Sequence, residues 1–410
     1  LLIHGQAAPG IIYVKWDAIG ANNGTSWTDA YTDLQDALAT AVAGDEIWVA
    51  AGTYTPSTSD DPYATFQIIK GTSLYGGFPA DGGSWESRDW EVNVTTLSGD
   101  IGIIDDISDN SFHVVTIYCP DDTVVLDGFT ITDGNASKSS PHDKGGGIYI
   151  LNSNPRLINL IITRNSASGS GSSQGGGVYN ENGSPELLNV TISENWSAQF
   201  GGGMMTIRGD AILKNVTFYE NSANGAGGGM RITESTPILN NVVFSNNSAS
   251  SGGCVTNEHS DTIFTYVTFI NNSSEHRGGG IDIQYESNPI FQNVTFSENS
   301  SKNGGGLYNQ TSNPTIENVT FVLNYASEYG GAIFNQQSSP MIRNVTFSSN
   351  SAGVCGGAMR NYYSSLPTLI NTTFVGNTAV DTGGGIYNTD ESHINIINSI
   401  LWNNSPNTIY

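Results

Sequence analysis

Hydrophobic positions in this chain recur with a period of about 26 residues, in register with short runs of glycine. The first glycines of these runs are Gly145, Gly175, Gly201, Gly227, Gly252, Gly278, Gly304, Gly330, Gly356 and Gly383. Successive runs are 25 to 30 residues apart, and six of the nine intervals are 26 residues. A period this regular predicts a solenoid, in which each unit stacks on the unit before it.

Alignment on the glycines gives three apolar columns. The first is Ile148, Val178, Met204, Met230, Val255, Ile281, Leu307, Ile333, Met359 and Ile386. The second is Leu157, Leu187, Leu213, Leu239, Phe264, Phe291, Ile316, Ile342, Leu369 and Ile396. The third is Ile162, Ile192, Phe218, Phe244, Phe269, Phe296, Phe321, Phe347, Phe374 and Leu401. Three such columns predict three short strands per coil, each pointing alternate side chains inward.

The local composition favours strands over helices. Val-Thr-Phe segments are β-branched and aromatic, and the rest of each unit is mostly Gly, Ser, Asn and Pro. No part of a unit is long enough and rich enough in helix formers to make the helix of a helical repeat. The sequence therefore predicts an all-β solenoid of parallel strands, with coils about 4.8 Å apart.

Two columns of asparagine mark the bends. The first is Asn159, Asn189, Asn215, Asn241, Asn293, Asn318, Asn344, Asn371 and Asn398, interrupted by Tyr266. The second is Asn165, Asn195, Asn221, Asn247, Asn272, Asn299, Asn324, Asn350, Asn377 and Asn404. Asn tolerates the left-handed conformation that a corner needs, and its amide can bond to its counterpart one coil away. Structural ladders are therefore favoured over the alternative, an amide row that binds sugar.

The paired motifs GG[GA]-[IVLM] and Phe-x-x-Asn, as in Phe218–Asn221 and Phe347–Asn350, resemble the repeats of chlamydial-type polymorphic outer membrane proteins. More broadly, the chain resembles bacterial secreted right-handed parallel β-helix proteins of the pectate-lyase-like superfamily. The repeat resemblance covers about residues 125–404. It implies a right-handed β-helix at an extracellular or cell-surface location, and because the repeats are scaffold it implies little about activity.

The sequence divides into three parts. Residues 1–55 read as an N-terminal cap module, with a helix over residues 27–43 whose apolar positions have helical spacing. This segment resembles the N-terminal cap of such β-helix proteins, which would cover the open strand edges of the first coil. Residues 56–144 are irregular coils with polar insertions, and residues 145–410 are the regular repeats of one continuous solenoid.

Charge limits the partners. The net charge is −24, from 14 Lys and Arg against 38 Asp and Glu, so nucleic acid and anionic membranes are disfavoured. An acidic polysaccharide would be repelled unless cations intervened. No apolar run is long enough to span a membrane, and the first ten residues, LLIHGQAAPG, are consistent with the tail of a signal peptide. Of the three cysteines, Cys254 and Cys355 lie four coils apart, too far to form a disulfide.

Acid–base and metal chemistry has weak support. The polygalacturonase-like set of N-T-D, D-D, G-H-G and R-I-K motifs is absent, although Asp105-Asp106, Asp121-Asp122 and His113 are present without that spacing. A lyase-like site would need calcium-binding carboxylates beside an Arg or Lys, such as Arg88. The calcium candidates, in one acidic loop, are Asp100, Asp105, Asp106 and Asp109. The alternative, a solvated acidic loop, is favoured, so calcium is the sole cofactor considered.

Aromatic side chains supply the candidate binding surface. The outward column beside the glycines is Tyr149, Tyr179, Met205, Arg231, Thr256, Asp282, Tyr308, Phe334, Arg360 and Tyr387. Aromatic residues on turns are Trp196, Phe200, Tyr325, Tyr329, Tyr362 and Tyr363. Such rows can stack on sugar rings or form a protein interface, and the alternative is cross-strand stacking between coils.

These observations favour a non-catalytic adhesive or structural β-helix. The alternatives are a polysaccharide-active enzyme, either lyase or hydrolase, and a glycan-binding module without turnover. The last coil, residues 383–404, has complete columns, and Ser405–Tyr410 offers nothing amphipathic to cover it. We therefore expect either head-to-tail association with another copy or a further domain after Tyr410, with surface glycans as the other candidate partner.

Overall fold

The computed structural model describes residues 10–120 and 123–410, which form a parallel β-solenoid with three sheets along its length. Sheet 1 has 24 strands, sheet 2 has 12 and sheet 3 has 10 in the described part of the chain. Within each sheet, the equivalent strands of successive coils pair in parallel. The predicted fold class, an all-β solenoid with three strands per coil of about 26 residues, is confirmed. The possible signal-peptide remnant and the Asp121-Asp122 pair lie outside the described residues.

The strands of sheet 2 follow the glycine runs, and those of sheet 3 precede them. Sheet 2 comprises Phe66–Ile68, Val115–Ile117, Ile148–Leu151, Val178–Glu181, Met204–Ile207, Met230–Thr233, Val255–Glu258, Ile281–Gln284, Leu307–Gln310, Ile333–Gln336, Met359–Tyr362 and Ile386–Asn388. Sheet 3 comprises Asn135–Ala136, Ser166–Ala167, Trp196–Ser197, Ser222–Ala226, Ser248–Ser251, Ser273–Arg277, Ser300–Asn303, Tyr325–Tyr329, Ser351–Ala352 and Thr378–Ala379.

Sheet 1 takes two short strands, or one long bent strand, from each regular coil. Its strands are Ile11–Val14, Glu46–Ala50, Gly52–Tyr54, Ser73–Phe78, Thr95–Ser98, Val125–Asp127, Thr130–Thr132, Arg156–Ile158, Ile161–Thr163, Glu186–Ser193, Ile212–Tyr219, Ile238–Ser245, Ile263–Thr265, Thr268–Ile270, Ile290–Gln292, Thr295–Ser297, Thr315–Glu317, Thr320–Val322, Met341–Arg343, Thr346–Ser348, Thr368–Ile370, Thr373–Val375, Asn395–Ile397 and Ile400–Trp402. The bend within each coil falls at the first asparagine column.

The three apolar columns form the core. All ten members of the first column are fully buried, and the second and third columns are buried except for the partly buried Ile396 and Leu401 at the end. The phenylalanine rings from Phe218 to Phe374 stack face to face, with centroids 4.3 to 5.2 Å apart. Because burying each ring contributes roughly 1.5–3 kcal/mol, this column is a large part of the driving force for stacking the coils.

The two asparagine columns act differently. In the first, Asn159 through Asn398 and Tyr266 all adopt the left-handed conformation, with φ between 48° and 56°. In the second, the residue before the asparagine is left-handed, as at Glu220 before Asn221, and the asparagine itself is buried. The Asn221 backbone N–H and Nδ2 both donate to Asn247 Oδ1, at 3.0 Å each, and this pattern repeats along the column. The predicted ladders are confirmed, although left-handed geometry belongs to only one of the two columns.

The first glycine of each run turns the chain from sheet 3 into sheet 2. All ten are left-handed, with φ between 56° and 71°. A Cβ on Gly304 would lie 2.4 Å from the Leu307 carbonyl oxygen, so the position excludes side chains for two reasons, conformation and space.

The predicted helix over residues 27–43 is wrong at both ends, because the structure has a helix only over Leu34–Thr40. Residues before it are used otherwise: Tyr31 pairs with Val14 as a parallel bridge, and Trp27 Nε1 donates to the Gly83 carbonyl oxygen at 2.9 Å. The Asp33 side chain caps the true N-terminus. Leu34 and Ala37 are fully buried in the hydrophobic core, so the helix packs on the solenoid through this face. That it covers the open strand edges of the first coil stays a prediction.

Residues 79–94 form the largest insertion near the N-terminus and include a short 3₁₀ helix, Trp85–Ser87. The insertion packs on the outer face of sheet 1, where Trp85 lies 4.9 Å from Tyr75 and 5.6 Å from Trp48 between ring centroids. Arg88 anchors it through an ion pair with Asp127 at 2.8 Å. The insertion is therefore a fixed part of the surface.

The end of the chain differs from the expectation. Ser405 and Ile409 pair with Thr378 and Ile386 as parallel bridges, and the Tyr410 ring stacks on Tyr387 at 5.0 Å. Residues 405–410 therefore begin another coil on sheets 3 and 2. Cys254 and Cys355 are buried thiols without a disulfide, as predicted. None of the helices in residues 10–120 and 123–410 has the length and apolar character needed to cross a bilayer.

Candidate functional site

The outward face of sheet 2 carries aromatic and charged side chains from successive repeats. Its column from Tyr149 to Tyr387 points away from the core, yet Tyr179, Asp282, Tyr308 and Phe334 are at most 6% exposed. These residues are covered by side chains of the same face, because each glycine turn places the preceding residue beside this column. The face is thus a second, polar packing layer outside the core.

One contact recurs on this face. The residue before the glycines of one coil meets the outward residue of the next coil, and in four places the pair is a cation and an aromatic ring. These pairs are Lys144 with Tyr179 at 4.9 Å, Phe200 with Arg231 at 3.8 Å, Arg277 with Tyr308 at 5.4 Å, and Tyr329 with Arg360 at 3.8 Å. In two of the pairs the cation is the residue before the glycines, and in the other two it is the outward residue of the next coil.

The last of these pairs is the centre of an aromatic patch. Arg360 lies 3.8 Å from the centroid of Tyr329 and 5.2 to 5.5 Å from those of Phe334, Tyr362 and Tyr387. Tyr363 extends the patch at 4.9 Å from Tyr362, nearly perpendicular to it. We call Tyr329, Phe334, Arg360, Tyr362 and Tyr363 the aromatic–arginine patch. Tyr363 is 52% exposed, so the patch is open to solvent at that side.

Two carboxylates, Asp282 and Glu258, lie on the same face, with Asp282 two coils before Phe334 of the patch. The Asp282 side chain is fully buried; its Oδ2 accepts from Gln284 Nε2 at 2.6 Å and lies 3.5 Å from Arg277 Nε. Its Oδ1 has no hydrogen-bond partner. Glu258 is paired with Arg231 at 2.6 Å, and Nε and Nη1 of that arginine also lack partners.

Burial dominates the acidity of this cluster. Loss of solvation raises the pKa of Asp282 to about 7, and the nearby Glu258 charge adds to the rise. The Arg277 guanidinium and the hydrogen bond from Gln284 act in the opposite direction but do not cancel it. A carboxyl that exchanges a proton near neutrality can serve as an acid or a base, although structural ion-pair networks produce the same shift.

The six aromatic candidates do not form one row. Tyr329, Tyr362 and Tyr363 meet in the aromatic–arginine patch, whereas Phe200 is five coils away and packs on Arg231. Trp196 and Tyr325 lie on sheet 3, in one column but five coils apart. The outward column does stack between neighbours, as Tyr149 with Tyr179 at 5.4 Å and Tyr308 with Phe334 at 5.1 Å. No specific role was predicted for Arg277, Asp282 or Arg360. For Asp282 and Arg360 the available signal was a charge in a column that is mostly aromatic or apolar, whereas Arg277, which precedes the glycines, had no such signal.

The acidic loop uses its carboxylates locally. Asp100 accepts from the Asp105 backbone N–H at 3.2 Å, Asp106 from Ser108, and Asp109 from the Ile103 N–H at 2.8 Å. No three His, Cys, Asp or Glu side chains in residues 10–120 and 123–410 are grouped closely enough to share a metal ion. Calcium binding by this loop stays a prediction. Arg88, the expected lyase partner, is instead in its buried ion pair with Asp127.

Both ring nitrogens of His113 are within hydrogen-bonding distance of other protein groups. Its Nδ1 is 3.0 Å from the Gly145 carbonyl oxygen and its Nε2 is 3.0 Å from His142 Nδ1. Burial lowers the pKa of His113 to about 4, which keeps the ring neutral at physiological pH. The pair therefore ties the loop of His142 to the coil beneath it.

Comparison with known proteins bears on the fold. Residues 102–266 and 252–410 match the family model described as right handed beta helix region. Among solved structures, the chain is similar to the pectate lyase Pel9A, at 13% identity and a TM-score of 0.40 over 92% of this chain and 78% of that one. It is similar to PfbA, a surface adhesin of Streptococcus pneumoniae, at 12% identity and a TM-score of 0.40, covering 91% of this chain and 87% of that one.

A third similar structure is the catalytic domain of a GH87 alpha-1,3-glucanase, at 12% identity and a TM-score of 0.42, covering 97% of this chain and 67% of that one. At such identities the likeness concerns the fold alone, and it does not distinguish an adhesin from an enzyme. The search among curated proteins found no match.

Proposed function

The chain belongs to the right-handed β-helix family, and from that premise we propose that it is a non-catalytic adhesive protein of the extracellular space or cell surface. Its contact surface is the aromatic–arginine patch on sheet 2. The observation that carries this proposal is that Tyr329 and Tyr362 pack on Arg360 and that Tyr363, which packs on Tyr362, is half exposed.

Rigid aromatic rings bind at low entropic cost, because their orientation is fixed before the partner arrives. Parallel strands beneath the patch hold it, and stacking on Arg360 restricts the rings. Such a surface suits the apolar faces of sugar rings on a neighbouring cell. The resemblance of the repeats to chlamydial-type polymorphic outer membrane proteins supports the surface location.

Two left-handed tyrosines provide a matched experiment. Tyr363, in the patch, has φ of 56° and is 52% exposed; Tyr266, on the bend of sheet 1, has φ of 55° and is 60% exposed. Because asparagine tolerates this conformation, Tyr363→Asn and Tyr266→Asn each remove one exposed ring without backbone strain. We expect Tyr363→Asn to weaken binding to an array of cell-surface glycans about tenfold, and Tyr266→Asn to leave it unchanged.

Equal effects of the two substitutions would contradict the assignment of the patch, and absence of glycan binding by the wild-type protein would contradict the adhesive proposal for this ligand class. Far-UV circular dichroism of both variants checks that the solenoid is intact.

A second candidate function, polysaccharide cleavage, is favoured by one observation. Asp282, whose pKa burial raises to about 7, lies beside Arg277 on the outward face of sheet 2. A carboxyl of this kind could act as the general acid or base of a lyase or hydrolase. Release of reducing ends or unsaturated products that disappears in Asp282→Asn would support this candidate. Calcium at Asp100, Asp105, Asp106 and Asp109 is a separate proposal, because this loop packs on a coil five before that of Asp282, and calorimetric titration with calcium tests it.

A further inference from the structure

A separate surface near the N-terminus has the chemistry of a ligand site. A groove of about 440 Å³ runs between the 79–94 insertion and the outer face of sheet 1. Trp90, Glu91 and Val94 line its upper wall, and Asn159, Leu160, Ile161, Asn189 and Thr191 line the sheet side. We call it the Trp90 groove. Its volume is in the range of sites for small organic ligands.

The upper wall of the groove is held in place by hydrogen bonds to the Gly77 carbonyl oxygen and by a close backbone approach. Asp89 N–H donates to the Gly77 carbonyl oxygen at 2.7 Å, and Asn93 Nδ2 donates to the same oxygen at 3.2 Å. A Cβ on Gly77, where φ is +85°, would lie 2.9 Å from the Trp90 backbone nitrogen, so only glycine allows this close approach. Trp90 is nevertheless 38% exposed, which leaves its ring available to a ligand.

The floor of the groove is an oriented row of amides. Asp127, paired with Arg88, accepts from Asn159 Nδ2 at 2.9 Å. Asn159 Oδ1 in turn accepts from Asn189 Nδ2 at 3.1 Å, and Asn189 Oδ1 accepts from Asn215 Nδ2 at 3.0 Å. The ion pair therefore fixes which end of each amide is the donor, which a lone asparagine would leave undetermined.

Each amide in this row keeps part of its bonding capacity. A primary amide has two N–H donors and an oxygen with two lone pairs, and the row uses one of each on Asn159 and Asn189. One N–H and one lone pair per residue are thus left for a ligand. Such a pair suits two neighbouring hydroxyl groups of one sugar ring, donating to one and accepting from the other.

Charge restricts the ligand class. The only ionisable side chain lining the groove is Glu91, in a protein of net charge −24, so an anionic saccharide would be repelled. Trp90, with Val94 and Ile161 at 48% and 46% exposure, gives the apolar contact that the face of a pyranose requires. We propose that the Trp90 groove binds a neutral oligosaccharide, with a pyranose stacked on Trp90 and its hydroxyls bonded to Asn159 and Asn189.

This site is independent of the adhesive patch, which lies on another sheet and at least five coils further along the chain. The test is isothermal titration calorimetry of the whole protein with cellohexaose, maltohexaose and mannohexaose. We expect at least one of the three to bind, Trp90→Ala to lower the affinity about tenfold or more, and Trp90→Phe to restore most of it, because a ring remains.

The exposed asparagine row and a second exposed tryptophan on sheet 1 supply matched controls. Asn189→Asp replaces the donor and should weaken binding about tenfold, whereas Asn344→Asp makes the same change in the same row outside the groove and should not. Trp402→Ala removes a 71% exposed tryptophan at the other end of sheet 1 and should have no effect. Tyr363→Asn should also leave this binding unchanged, which separates failure here from failure of the proposed function.

The proposal is overturned if none of the three hexasaccharides binds at millimolar concentration, or if Trp90→Ala binds as the wild type does. It is also overturned if polygalacturonate binds as tightly as the neutral sugars, or if unstructured peptides bind and no saccharide does. Trp90→Ala is the most informative variant because it should not disturb folding. It changes a partly exposed side chain of the insertion and leaves the amide row intact.

Discussion

Replacing Asn299 by alanine tests the buried amide column in the middle of the solenoid. Asn299 Oδ1 accepts from the Asn272 backbone N–H at 3.1 Å and from Asn272 Nδ2 at 2.9 Å. Its Nδ2 donates to the Phe269 carbonyl oxygen at 2.9 Å and to Asn324 Oδ1 at 3.0 Å. The side chain therefore joins three successive coils, and it is fully buried.

The expected loss follows from the groups left behind. Truncation leaves the Asn272 N–H and one Nδ2 hydrogen without an acceptor, away from water. Each buried donor without a partner costs about 1–3 kcal/mol, so Asn299→Ala should lower the free energy of unfolding by roughly 2–6 kcal/mol. Because chains of amides polarise one another, we expect the upper half of that range.

The matched control is Asn318→Gly in the exposed column. Asn318 accepts a single bond, from Asn344 Nδ2 at 3.2 Å, and glycine tolerates its φ of 56°. Asn318→Gly should lower the free energy of unfolding by about 1 kcal/mol or less. Urea unfolding followed by circular dichroism, with hydrogen exchange at the Asn272 amide, measures both variants. Equal shifts for the two substitutions would refute the assignment of stability to the buried column.

Three further predictions concern the turn, the buried acid and catalysis. Gly304→Ala, which places a Cβ 2.4 Å from the Leu307 carbonyl oxygen, should destabilise by about 2 kcal/mol or more in urea unfolding, and Gly376→Ala, with its nearest atom at 3.7 Å, by about 1 kcal/mol; similar values would contradict the steric account. Folding raises the pKa of Asp282 from 3.8 to about 7, so the folded state binds this proton more tightly than the unfolded chain. Stability should therefore fall as the pH rises from about 4 to 7, by up to roughly 4 kcal/mol, and Asp282→Asn should lose this part of the pH dependence; a profile unchanged by the substitution would contradict it. Purified protein with calcium should release neither reducing ends nor unsaturated products from pectin or alginate, and turnover abolished by Asp282→Asn would overturn the non-catalytic proposal.

The core was predictable because it depends on large side chains at a fixed period. The large apolar side chains of Phe218, Phe244 and Phe269 recur at a fixed period, which predicts a buried column, and all three are buried in the structure. Sheet 3 gave no such signal, since its inward positions are small residues such as Ala167 and Ala223, which are equally common in turns. The helix failed at its ends because the bonds that Trp27 and Tyr31 make to distant strands outweigh local helical spacing.

The binding surfaces were less predictable because they depend on contacts between elements. Sequence spacing places Asp282 in an outward column, but it cannot show that Arg277 and Gln284 close over it. Trp90 stands in a polar insertion, and its proximity to Asn159 follows only from how Arg88 joins the insertion to Asp127 on sheet 1. Long-range placement of insertions is the part of the structure that periodicity does not encode.

Because the coils pair residue for residue, the number of coils can change without changing the structure of each coil. Leu307 pairs with Ile281 on one side and Ile333 on the other, and Tyr308 pairs in the same way with Asp282 and Phe334. Removing residues 304–329 would bring Ile281 beside Ile333 and Asn299 beside Asn350, residues of the types that already meet throughout the columns. Loss or duplication of one unit would therefore change the reach of the rod by about 4.8 Å and leave the Trp90 groove and the N-terminal helix as they are. In the adhesive function proposed above, the distance between the two surfaces that the protein joins would change in steps of one coil.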